Sequence, residues 1–118
     1  MHELKEMDFL DFEDKDFDTI LEDDIRFRGS MRFTKPMMIR GQVSGSIQCG
    51  SDLVLDTDSV AESDITADRV LIRGRVKGNV NSQRIVVVSS TGSLRGDIRS
   101  RHIVLEPGND FSGYVDKT

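Results

Sequence analysis

The chain has 118 residues, room for one compact domain, with 36% hydrophobic and 31% charged residues, ten glycines and no tryptophan. No apolar run reaches the ~18 residues of a membrane-spanning helix, the first ten residues carry acids where a secretory leader would be basic, and the lone Cys49 excludes an intrachain disulfide. The net charge of −5 divides unevenly: residues 1–24 hold eleven acidic and two basic side chains, residues 25–118 ten acidic and fourteen basic.

Residues 1–24 form an acidic arm. Leu4, Met7 and Leu10 have helical spacing, while Phe9, Phe12, Phe17, Ile20 and Leu21 are scattered among carboxylates. Such acidic-hydrophobic composition predicts disorder, or a short helix formed on binding. The arm is expected to be separate from a folded domain over 25–118.

From Ile25 onward the sequence repeats. Ile25, Phe27, Gly29, Met31 and Phe33 alternate with polar residues. Ile39-Arg-Gly-Gln-Val43-Ser-Gly-Ser-Ile47 then returns 33 residues later as Ile72-Arg-Gly-Arg-Val76-Lys-Gly-Asn-Val80. Partial copies follow at Leu94-Arg-Gly-Asp-Ile98 and Phe111-Ser-Gly-Tyr-Val115, and a degenerate one lies between the full copies at Leu55, Val60 and Ile65. Three apolar columns result: Ile39, Leu55, Ile72, Val87 or Val88, Leu105; Val43, Val60, Val76, Leu94, Phe111; and Ile47, Ile65, Val80, Ile98, Val115.

Each column steps by 15 to 18 residues. Alternation of period two is a strand signature, because successive side chains point to opposite sides. The apolar residues and glycines share one parity and face inward, and glycine leaves room where the chain turns a corner. One copy cannot bury its apolar side, whereas stacked copies bury a continuous core. The sequence therefore predicts an all-β, three-sided solenoid of roughly five to six coils at ~3.3 Å per residue and ~4.8 Å between coils. Asn-Gly and Asp-Gly hairpin turns are absent, which disfavours an antiparallel sandwich.

Catalytic constellations are thin. The histidines are His2 and His102, and His102 is expected to project outward from a strand into solvent. A hexapeptide-type acyltransferase would use such a histidine as general base in a cleft between subunits, but it would also keep a strict six-residue period. Asp56, Asp58, Glu62 and Asp64 read as an acidic corner rather than a metal site, and no phosphate-binding loop or dinucleotide fingerprint occurs. No cofactor, metal or catalytic residue is expected. Arg40, Arg73, Arg75 and Lys77 are candidates for an anion-binding stripe, to be weighed against an ordinary solvated face. The coil ends are candidates for self-association, since terminal strands carry unpaired backbone groups. Phe111 and Val115 lie at one end and Ile25, Phe27 and Phe33 at the other.

The order Asp24-Ile25-Arg-Phe27-Arg-Gly29, then Ile-Arg-Gly-x-Val-x-Gly-x-Ile, then Asn109-Asp110-Phe111-Ser112-Gly113, resembles the bactofilin domain over roughly residues 24–115. The resemblance implies a right-handed parallel β-helix that polymerises end to end without nucleotide or metal. It also implies a scaffold at the inner face of the cell envelope, acting on cell shape or wall synthesis, with cell-wall enzymes or other envelope proteins as partners. Phe111 matches the family's closing phenylalanine, and the resemblance implies a junction role for it. Many relatives carry an apolar N-terminal membrane-targeting stretch. Here that segment is acidic, so membrane contact is expected to be indirect, localisation cytoplasmic and nucleic-acid binding absent. The rival to a filament subunit is a monomeric binding module that recruits partners through its acidic arm.

Overall fold

The structure, a computed structural model, describes residues 12–118. In chain order the strands are β1 Thr19–Leu21, β2 Arg26–Phe33, β3 Met37–Ile39, β4 Gln42–Leu55, β5 Val60–Ile72, β6 Arg75–Lys77, β7 Val80–Val88, β8 Ser93–Arg95, β9 Ile98–Ser100, β10 His102–Leu105, β11 Asp110–Ser112 and β12 Val115–Lys117. Every pairing is parallel and links one coil to the next. The long strands β4 and β5 pass through two corners, so three faces stack into about six coils. The first face carries β1, β3, the ends of β4, β5 and β7, and then β10. The second face carries residues 26–29 and those stacked on them as far as β11. The third carries residues 30–33 and those stacked on them as far as β12.

The solenoid predicted from the repeat is present, and its third column is as expected: Ile47, Ile65, Val80, Ile98 and Val115 stand in register. In the first column Val88, not Val87, aligns with Ile72 and Leu105. In the second, Ala61 rather than Val60 stands between Val43 and Val76. Val60 aligns with Gln42 and Arg75 on the outer side, because the corner at Asp56–Ser59 adds an extra turn before the strand resumes. The interior contains Met37, Ile39, Leu53, Leu55, Val70, Ile72, Val86 and Val88 from the first face, packed against the columns of the other two. Burying each large aliphatic side chain contributes about 1.5–3 kcal/mol, which is what drives the coils to stack.

Glycine marks the corner between the second and third faces. Gly45 has φ 125°, and a Cβ there would lie 1.9 Å from the Gly29 carbonyl oxygen of the previous coil. The next residues form a side-chain ladder. The Asn79 N–H donates to Asp64 Oδ1 (3.0 Å), the Asp97 N–H to Asn79 Oδ1 (3.0 Å) and the Tyr114 N–H to Asp97 Oδ1 (3.1 Å). Each carboxylate or amide thus satisfies a backbone donor that the corner would otherwise strand.

The first strand in register precedes Ile25, the boundary expected from the sequence. Thr19, Ile20 and Leu21 pair with Met37, Met38 and Ile39, so the coil begins six residues earlier. Ahead of it lies one 3-10 turn, Asp14–Asp16, whose capping box joins Glu13 and Asp16. Residues 1–11, the rest of the acidic arm, lie outside the described residues.

Candidate functional site: the open ends and a covered outer face

At the C-terminal end β10, β11 and β12 each pair with the preceding coil alone among the described strands. Phe111 sits over Leu94, partly buried against the core. Around it Leu105 is 40% exposed, Val115 45% and Tyr114 81%. The corner ladder stops at Tyr114, which has no side-chain acceptor of the Asx type to offer a further coil. At the opposite end β1 and β2 pair only with β3 and β4 among the described strands. There Phe27 and Phe33 pack against the core from the rim, and Ile25 is 38% exposed. Among the described residues both ends therefore present apolar side chains on strands that pair on one side alone, the chemistry of a surface that pairs with another strand edge.

The four basic residues singled out from the sequence do not form one stripe. Arg40 and Arg73 share a column at the corner after the first face, with Asp56 between them. Arg40 is enclosed by acids: its Nε donates to Asp56 (3.2 Å) and its Nη1 to Asp14 (3.1 Å) and Glu22 (3.1 Å). The Arg73 guanidinium lies 4.6 Å from the Phe12 ring centroid. Arg75 and Lys77 point outward from β6, on the second face. The pairing with Arg40 holds the Asp14 carboxyl below its ordinary range and raises the guanidinium's own.

His102 is exposed on β10. Among the described residues no group of three or more His, Cys, Asp or Glu is placed to hold a metal, and no helix is long and apolar enough to cross a membrane. Cys49 is buried, its Sγ donates toward the carbonyls of Lys35 (3.4 Å) and Asp52 (3.7 Å), and burial pushes the thiol pKa up. An unreactive thiol is the consequence.

The feature that the repeat did not reveal is on the outside of the first face. Met38, Val54, Leu71 and Val87 align from coil to coil and point away from the interior, yet they are 0–2% exposed. Ile85 joins them, and Phe12, Phe17 and Ile20 pack against this second apolar cluster. Phe12 and Phe17 meet edge to face, with ring centroids 5.2 Å apart. The sequence signal was available: Met37-Met-Ile39, Leu53-Val-Leu55, Val70-Leu-Ile72 and Ile85-Val-Val-Val88 are unbroken apolar runs, which mark strands covered on both sides.

The model of the bactofilin family, described as polymer-forming cytoskeletal, matches residues 19–116, beginning at the first residue of β1. The chain belongs to the bactofilin family. It is 31% identical over 98 residues to bactofilin BacO of Myxococcus xanthus (strain DK1622), an overlap of 83% of this chain and 78% of BacO. It is 26% identical over 98 residues to BacP of the same organism, where the overlap spans only 41% of BacP. The solenoid is also similar to Thermus thermophilus bactofilin in a cryo-EM reconstruction of double helical filaments. That match has a TM-score of 0.78 and 26% identity, and covers 85% of this chain and 99% of the other. Bactofilins are polymer-forming structural proteins of the cytoskeleton, so self-association is the property of this bactofilin to explain.

Proposed function

We propose that this bactofilin assembles end to end through its terminal coils into filaments that need no nucleotide, and that the filament scaffolds envelope-associated or cell-shape proteins. It acts at the inner face of the envelope, without an enzymatic activity of its own. The observation that carries the reading is the pair of terminal coils, whose strands pair on one side alone among the described residues. Solenoids that stay monomeric cover their terminal coils with polar caps. Here Leu105, Val115 and Ile25 are left at 38–45% exposure beside strand edges that are unpaired among the described residues. The filaments of the Thermus relative support the same reading, since that chain is matched over 99% of its length. The sequence supports nucleotide independence, because it contains no phosphate-binding loop.

The test is electron microscopy and sedimentation of the purified full chain in plain buffer. Filaments are expected without ATP or GTP, and adding either leaves their amount unchanged. Filaments that form only with a nucleotide, or a chain that stays monomeric at high concentration, would overturn the proposal.

A further inference from the structure

We propose that the outer row of the first face is a docking groove for a short acidic, phenylalanine-bearing segment of a partner protein, and that residues 12–18 are an intramolecular stand-in which such a partner displaces. The row itself is a binding surface by composition. A solenoid needs apolar residues inside, and nothing in coil stacking asks for Met38, Val54, Leu71, Ile85 and Val87 on the outside as well. The row is closed over by the chain's own Phe12, Phe17 and Ile20, and with Phe12 and Phe17 lifted away it becomes a contiguous apolar patch of the kind that marks an interaction site.

The occupant is already indicated by what is seated there. Phe12 and Phe17 supply the apolar contact, and Asp14, three residues before Phe17, reaches Arg40 at the groove's edge. Arg73 stacks on the Phe12 ring from the other side of the same corner column. The groove therefore reads two aromatic rings and an intervening carboxylate, and a partner segment with that pattern makes the same contacts.

The hold on the stand-in is of a kind that can be exchanged. Backbone bonds of the turn are internal, Asp16 N–H to Glu13 O (2.9 Å) and Phe17 N–H to Asp14 O (3.1 Å). Asp18 N–H to Pro36 O (2.9 Å) ties the segment to the solenoid just before β1. The side chain of Asp14 remains 61% exposed and that of Glu22 57%, so their contacts with Arg40 are screened by solvent. The row also continues past its covered part. Val104 aligns with Val87 on the last coil and is 41% exposed, a foothold from which an incoming segment can begin to compete.

The probe is a fluorescein-labelled peptide with the sequence of residues 1–18, titrated by anisotropy into the full chain. Tethering gives the resident segment a local concentration in the millimolar range, so the wild-type chain binds the peptide weakly. The full-length Phe12→Ser/Phe17→Ser variant vacates the groove and is expected to bind it at least tenfold more tightly. A peptide carrying the same two replacements, or one with its acids changed to lysine, is expected to lose that binding. Circular dichroism and the thermal midpoint confirm that the variant is folded. No binding by the folded variant, or equal binding by variant and wild type, would overturn the proposal. So would heavy complexes of the wild-type chain that disappear in the Phe12→Ser/Phe17→Ser variant, because the groove would then be taken by the arm of a second copy.

Discussion

Arg69 grips Asp52 of the preceding coil through two hydrogen bonds of 2.7 Å, and although both side chains point away from the interior they are 2% and 6% exposed. An ion pair on the outside of a solenoid is ordinarily wet and worth little. This one is buried because it belongs to the covered first face, where Arg69 aligns with Asp52 on one side and Ile85 on the other. Removing one partner leaves the other's charge in an environment poor in water. Asp52→Ala is therefore expected to lower the unfolding free energy by about 3 kcal/mol. The double replacement Asp52→Leu/Arg69→Leu should recover most of the loss. Urea denaturation of the three chains checks this, and a single-variant loss under about 1 kcal/mol, the exposed-pair level, would show the pair to be solvated.

The corner glycines differ in what they tolerate. Gly45 has φ 125° and a neighbouring carbonyl oxygen 1.9 Å from where a Cβ would stand, so Gly45→Ala must push two coils apart. A loss of at least about 3 kcal/mol is expected, the scale of backbone strain combined with a steric clash. Gly50, in contrast, has its nearest atom at 3.6 Å and lies within β4, so Gly50→Ala should be neutral or stabilise by up to about 1 kcal/mol through the reduced entropy of the unfolded chain. Thermal melts of the two variants, which should move in opposite directions, give the comparison.

Docking of the arm should be pH-dependent. The Arg40 guanidinium holds the Asp14 carboxyl below its ordinary value of 3.8. A carboxylate whose folded-state pKa is depressed contributes its stabilisation above the unfolded value and loses it as pH falls through the folded one. Docking of residues 12–18 is accordingly constant from neutral pH down to about 4 and weakens below that. Carboxyl and phenylalanine ring resonances followed by NMR should show Asp14 titrating below 3.8, with the Phe12 and Phe17 rings losing their tertiary shifts over the same interval. In Asp14→Asn the rings should show no such step. A step of equal size in that variant would assign it to another carboxylate.

How much of this was legible in the sequence can be read from individual residues. The column Ile47, Ile65, Val80, Ile98, Val115 was visible because no other apolar residue competes at its positions. Ala61 was missed because Val60 stands beside it, larger and more obviously apolar, and the corner's extra residues hide the one-step slip. The first strand Thr19–Leu21 was hidden by its surroundings, since acids on both sides gave it the composition of the arm. The burial of Arg69 could not be inferred from period-two alternation, which assigns its position to solvent. Only the unbroken apolar runs of the first face hinted that its outside is covered, and the covering residues, Phe12 and Phe17, are far away in sequence and carry no repeat.

The two ends can be tested against each other. Phe111 occupies the second column of the last coil and Phe27 the same column of the first. Each is an aromatic whose column mates have a coil on both sides, while among the described residues it has one. Each ring is already partly buried against the core, so a second subunit covering it recovers a part of the roughly 1.5–3 kcal/mol that full burial of a large apolar side chain is worth. If like end meets like end across a two-fold axis, the same patch faces itself, and an introduced arginine faces another arginine. Phe111→Arg then destroys one kind of junction and spares the other, so the expected product is a folded dimer joined through the Phe27 end. Phe27→Arg should leave the complementary dimer, and the double variant should be monomeric. A head-to-tail polymer behaves differently: either single substitution stops growth at every junction, and both give monomers. Light-scattering mass measurements on the three variants, each with its circular dichroism spectrum intact, decide between the arrangements. Filaments persisting in Phe111→Arg would remove the C-terminal end from the junction altogether, and loss of fold in that variant would show that its ring instead plugs the last coil.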